Sequence, residues 1–368
     1  VIDTKLLRPF LLFWQAALAL GFISGQTAWL RLKMNHYFFM LHLIRQTNLP
    51  YSYAEQTKFS GCYSQRFHRL VPVSTGLFLS TLDELPLMDQ PKAVANNNFK
   101  LIVLATSWGF PGTVDAFCAA AKKEGYDGIE YWWPTGADKQ KELFAALKKH
   151  QLQVGFLCGA SQADYARHLD YFKRMADAAA TNTVQRPLYI NCHSGRDYFT
   201  EDQSQAFIDH TRQLAEKTGI LFCHETHRSR IMFAAHITRR FIEKNPSLRL
   251  TLDISHWCNV HESLLDDQQE TVDIALSRSE HIHARIGHPE GPQVNDPRAP
   301  EWGAAVKAHF GWWDKIAQRK KEKGEKLTVL TEFGPPDYMP TLPYTRQALS
   351  DQWAINAHMM HLLRKRYG

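Results

Sequence analysis

The chain has 368 residues, 44% hydrophobic and 22% charged, the make-up of a globular protein with room for one large domain or two ordinary ones. Its formal charge of +6 is a small excess for this length, and basic residues cluster only at Arg319 to Lys326 and Arg364 to Arg366. That pattern reads as solvated helix ends and argues against a nucleic-acid-binding stripe.

The first ninety residues differ in texture from the rest. Lys5 and Arg8 precede Phe10 to Ile23, an apolar run broken by Gln15 and Gly21. This is signal-peptide grammar, too short and interrupted for a membrane span. Residues 48–89 are rich in Ser, Thr, Pro and Tyr and lack periodicity. Two readings follow for residues 1–90: an export signal with a linker, or upstream sequence foreign to the natural protein, which would then start at Met88. The second is preferred, and either makes this stretch a poorly structured extension. With it goes a cytoplasmic location, or an exported one if the signal is real. Six cysteines, Cys62, Cys118, Cys158, Cys192, Cys223 and Cys258, form no CxxC pair. Three of them fall in predicted strands, which fits buried thiols in a reducing compartment.

From Asn98 the grammar is regular. The predicted strands are Phe99 to Ser107, Asp127 to Trp133, Gln153 to Cys158, Pro187 to Cys192, Leu221 to Glu225, Arg249 to Ile254, His281 to Ile286 and Leu327 to Glu332. Helices are predicted between them, with Thr113 as an N-cap and Gly125 and Gly219 as stops, and Ser350 to Arg366 closes the chain. Alternating strands and helices argue a parallel sheet, and eight units over residues 98–368 predict a (β/α)8 TIM barrel of the α/β class. The alternative, an open doubly wound sheet, wants a Gly-rich phosphate turn after the first strand. Ser107-Trp-Gly-Phe-Pro-Gly112 is a poor one.

In such a barrel the carboxyl ends of the strands carry the chemistry. Strands five, six, seven and eight end on Glu225, Asp253, His283 and Glu332, and strand alternation lets all four point into the mouth. Three converging carboxylates repel one another unless neutralised. One divalent ion, Mn, Mg, Co or Zn, is the simplest neutraliser and suits this donor set. Trp108, Trp132 and Trp133 follow strands one and two, Glu130 lies on strand two, and His193 follows strand four. These are candidate substrate contacts, the aromatic faces suiting sugar rings. The long Pro/Gly-rich stretch His288 to Pro300 is a candidate lid.

The pattern resembles the xylose isomerase-like TIM-barrel superfamily, the sugar phosphate isomerase/epimerase group with ketose 3-epimerases and inosose dehydratase. The resemblance covers residues 98–368. It implies one divalent metal on Glu225, Asp253, His283 and Glu332, with Glu225 and Glu332 as the catalytic base and acid. It implies a substrate-contacting histidine three residues after the aspartate, matching His256. The family's epimerases place an arginine further beyond the strand-seven histidine; here Arg285 follows by only two. The expected activity is metal-dependent sugar or sugar phosphate isomerisation or epimerisation by proton transfer through an enediolate. A lyase of the inosose dehydratase kind is a close alternative, and an endonuclease IV-like phosphoesterase a more distant one. The expected partner is a small carbohydrate, with no nucleic acid and no membrane. A homo-oligomer stays open.

Overall fold

The computed structural model describes residues 98–368. The calls on residues 1–90, and Cys62 with them, lie outside the described residues. In chain order the elements are β1 (Lys100–Thr106), α1 (Val114–Glu124), β2 (Gly128–Trp132), α2 (Ala137–His150), β3 (Gln153–Gly159), α3 (Tyr165–Thr181), β4 (Ile190–His193) and α4 (Glu201–Thr218). There follow β5 (Phe222–Glu225), α5 (Ala235–Lys244), β6 (Leu250–Leu252), α6 (Ser255–Val260), α7 (Gln269–Arg278), β7 (Ser279–Ala284), α8 (Gly303–Lys323), β8 (Lys326–Thr331) and α9 (Gln352–Tyr367). The eight strands pair in parallel in chain order, and β8 returns to β1, so the sheet closes as a TIM barrel.

Both faces of each strand are covered, so the strands read as apolar runs; Leu101 to Ala105 are all buried. Outward residues such as Val103, Val154, Ile190 and Val329 join the helices in the main core. Helix ends are written locally. Thr113 and Asp164 accept from the backbone of the first turns of α1 and α3, and Thr200 with Gln203 forms a capping box on α4. Gly125, Gly219 and Gly324 end α1, α4 and α8 in the left-handed region that a side chain resists.

The barrel interior is polar along one side. Register aligns Glu130 of β2 with Gly155 of β3, Asn191 of β4 with Cys223 of β5, and Glu225 with Thr251 of β6. A Cβ at Gly155 would come within 2.3 Å of the Tyr189 ring, so the glycine makes room for that tyrosine inside the barrel.

Two expectations need correction. Strand six does not run to Ile254: β6 is only three residues, Asp253 lies just past it, and the chain turns at once into α6, which carries His256. Apolar residues alone do not separate a buried strand from a buried turn of helix. The basic run Arg319 to Lys326 is not merely solvated, because Lys320 is buried and paired with Glu280 and Glu325. The stretch His288 to Pro300 is anchored at its middle by hydrogen bonds. Gln293 is buried and bonds both backbone groups of Gly334, and Val294 donates to Ile286. The five described cysteines are buried free thiols, and burial pushes Cys118 up to about 11. No helix among the described residues is long and apolar enough to cross a membrane.

Candidate metal centre

His283 sits at the middle of the mouth, and its two ring nitrogens face different surroundings. Nδ1 lies 2.9 Å from Glu332 Oε2 and 3.7 Å from Glu225 Oε1. Nε2 lies 3.3 Å from Glu130 Oε1 and 3.2 Å from Asn191 Nδ2. Glu225, Asp253 and His283 each offer a ligand atom, all within 4.8 Å of one another. Glu332 joins them through Nδ1. The four residues predicted from strand ends are therefore brought together from β5, β7 and the residues just after β6 and β8.

Two atoms test whether a cation fits. His283 Nδ1 and Glu332 Oε2 are both buried and 2.9 Å apart, yet neither makes a hydrogen bond among the described residues. Buried polar atoms without partners are costly. Two donors bound to one ion at about 2.1 Å and near right angles lie about 3 Å apart, so the spacing is that of shared ligation. Three carboxylate groups and one imidazole fit a hard or borderline divalent cation.

Each carboxylate has its own support. Asn191 and His193 donate to Glu225 Oε2 at 2.7 and 2.8 Å. Burial alone would raise the Glu225 carboxyl, but His193 and His283 outweigh it and hold it well below the ordinary range. Ser255 and Arg285 both donate to Asp253. Burial pushes Asp253 up while Arg285 pulls it back. Burial would lower His283, but the surrounding Glu332, Glu225 and Glu130 carboxylates drive it well above the usual imidazole value.

The expected substrate contacts divide by depth. Arg285 and His256 are buried, with Arg285 donating to His256 Nε2 at 2.9 Å, which leaves Nδ1 of His256 without a partner. His193 opens to the mouth edge-on to Trp132, and Trp108 packs edge-on against Tyr338 at 4.7 Å. Trp133 does not reach the mouth; it packs on Phe156 in the core. Glu130 does not line the mouth either. It is buried inside the barrel beneath His283, where Tyr189 donates to it.

Several residues here were not anticipated as part of the site. Asn191 lies two residues before His193 and so on its face of β4, a signal that strand alternation carried. Tyr338 had no such signal. It lies in the segment after β8 and sits between Arg228 and Arg285, 4.9 Å from its ring centroid to each guanidinium. The His227 ring lies 3.8 Å from that of His256, tilted by 45°, and His227 forms, with His193 and Glu225, a second group of metal-capable side chains.

Comparison with known proteins bears on the fold. A 3-keto-D-glucoside 4-epimerase from E. coli is 17% identical with a TM-score of 0.50, covering 72% of this chain and 100% of that one. A xylose isomerase domain containing protein from Salmonella typhimurium is 11% identical with a TM-score of 0.51, covering 76% and 100%. At such identities these likenesses show the barrel alone. No curated protein matches the chain. A family model described as xylose isomerase-like TIM barrel matches residues 118–312, more than half of the sequence, and the chain belongs to that family.

Proposed function

We propose that this protein is a divalent-metal-dependent isomerase or epimerase of a sugar or sugar phosphate. The observation that carries the reading is the convergence of Glu225, Asp253 and Glu332 on His283, with two buried donor atoms unpartnered at 2.9 Å. Glu225, Asp253, His283 and Glu332 would hold the ion. When bound, it supplies Lewis-acid polarisation of a carbonyl and neutralises the carboxylates around it.

The chain's own residues divide the proton work. Glu225 is kept ionised by Asn191 and His193 and is suited to accept a proton from carbon. Glu332 comes from three strands further round the barrel, and its side chain is 13% exposed, so it can meet the same carbon from another direction. Arg285 and His256 would donate hydrogen bonds to developing oxyanions. His193, Trp108 and Trp132 line the approach and suit hydroxyls and apolar sugar faces. A lyase reaction begins with the same proton abstraction.

One observation favours a second reading. His193, Glu225 and His227 lie beside the first ligand group, and a multi-metal phosphoesterase of the endonuclease IV kind needs such a neighbouring site. A single experiment separates the two. Metal-free protein is reloaded with Mn2+, metal content is counted, and ketoses, inososes and their phosphates are followed by NMR. The isomerase reading expects about one equivalent of metal, the single-site stoichiometry, and interconversion of a sugar. No sugar turnover, two or more equivalents and cleavage of abasic DNA would replace it with the second.

A further inference from the structure

Glu130 is an acid buried inside the barrel, and among the described residues its ion-pair partners are histidines rather than a lysine or arginine. Its surroundings are a tyrosine hydroxyl and two histidines. Tyr189 donates to Oε2 at 2.9 Å, and Tyr189 itself has space only because Gly155 lacks a side chain. The two histidines, His281 and His283, share the inner face of β7 and treat Glu130 differently. His281 turns Nδ1 to the Thr328 carbonyl at 3.0 Å, and its Nε2, 3.5 Å from Glu130 Oε2, makes no hydrogen bond. His283 turns Nε2 to the other oxygen, Oε1, at 3.3 Å.

A carboxylate only accepts, so a ring nitrogen that faces it has to donate. The competing neighbour of Nε2 is the Asn191 amide at 3.2 Å, whose Nδ2 gives one of its two hydrogens to Glu225 and can give the other to Nε2. If Asn191 won, Nε2 would accept and Nδ1 would carry the proton. That arrangement is closed to a histidine that ligates through Nδ1, the nitrogen 2.9 Å from Glu332 Oε2. On the metal-dependent reading Nε2 therefore carries the hydrogen, Glu130 Oε1 at 3.3 Å is the acceptor it faces, and Nδ1 keeps its lone pair toward Glu225 and Glu332.

We infer that Glu130 is a positioning residue that accepts from His283 Nε2–H and so commits Nδ1 to the cation side of the ring. This rests on the metal-dependent reading above. An outer carboxylate behind a ligating histidine fixes the tautomer and ring direction and makes the ligand more basic. It also gives Glu130 a task other than touching substrate.

The test uses the full chain with Glu130→Gln, which keeps an acceptor oxygen, and Glu130→Leu, which keeps none. Mn2+ affinity of chelator-treated protein is measured by calorimetry in the native background and again with His283→Gln. Glu130→Leu should weaken binding by about 10- to 100-fold, the usual effect of losing such a carboxylate, and Glu130→Gln by less. Both losses should vanish when His283 is already Gln. Equal losses in the two backgrounds would overturn the inference, because Glu130 would then act through its charge or the fold. A second readout needs no metal. In metal-free protein labelled with 15N-histidine, the His283 Nε2–H resonance should lie far downfield and move upfield in Glu130→Gln, while the Nδ1–H resonance of His309 stays in place. A His283 Nε2–H that Glu130→Gln leaves unmoved, or one that is absent, would overturn the inference. Native protein that binds no Mn2+ yet shows the shifted resonance would overturn the metal reading and leave Glu130 as the anchor of His283.

Discussion

Arg285 and Asp253 form an ion pair at the floor of the mouth, with both side chains buried and Ser255 donating to the second carboxylate oxygen. The guanidinium thus stands among the carboxylates that are proposed to hold a metal. It lies 3.6 Å from Glu332 as well.

Replacing Arg285 tests what that pair does. Arg285→Met leaves Asp253 buried among carboxylates with no fixed cation, a change that costs about 3–5 kcal/mol when one partner of a buried pair is removed. Metal-free Arg285→Met should therefore melt well below the native chain. Added Mn2+ should raise its melting temperature by more than it raises the native one. Differential scanning calorimetry with and without chelator reads both quantities. Equal metal-induced shifts in the two proteins would mean that the guanidinium does not share the neutralisation of these carboxylates.

Asp253 is the shortest of the proposed ligands and lies just past β6, so it has little freedom to be replaced by a neighbour. Asp253→Ala should remove stoichiometric metal from protein reloaded with Mn2+ and desalted. Elemental analysis checks this, with the native chain expected near one equivalent. Unchanged metal content in the variant would end the ligand assignment.

The two glutamates carry the proposed proton transfer. Glu225→Gln and Glu332→Gln preserve size and an oxygen donor but remove the base, and each should cut turnover by about 10²-fold or more with metal partly retained. In deuterated water the native enzyme should place solvent label on the carbon next to the carbonyl. Product that forms without label would indicate a direct hydride shift and reduce the glutamates to ligands.

A prediction about stability rests on His309 of α8. Its Nδ1–H donates to the Ala305 carbonyl, and the Gly287 N–H donates to its Nε2, so the ring is held neutral. Burial lowers it from 6.5 to about 4. The unfolded chain binds the proton more readily, so this stabilisation is complete above pH 6.5 and is lost as pH falls toward about 4. It amounts to about 3 kcal/mol at most. Urea midpoints between pH 7 and 4.5 should fall less steeply for His309→Leu than for the native chain. Parallel slopes would show that other groups carry the acid sensitivity.

Much of this was readable in one dimension. The alternation of strands and helices specified the barrel, because parallel strands buried on both faces need crossover helices to cover them. Strand parity put Glu225 and His283 on inward faces, and the break at Gly125 or Gly219 was written in a residue that tolerates positive φ. Parity plus closure brings Glu225 and His283 together, and Asp253 and Glu332 join them from the residues just past β6 and β8, so the convergence too was within reach of the sequence.

Height within the barrel and partners across it were not. Nothing local distinguishes Glu130, buried beneath His283, from a carboxylate at the rim; the pairing of β2 with β3 and the gap left by Gly155 decide it. Tyr338 reaches Arg228 and Arg285 from a segment without periodicity, and Arg285 meets Asp253 across 32 residues of sequence. Periodicity reports which face a side chain takes, because that depends on neighbouring bonds alone. Which charge neutralises which, and which nitrogen of His283 faces Glu225 and Glu332, depends on distances that exist only once eight strands have closed.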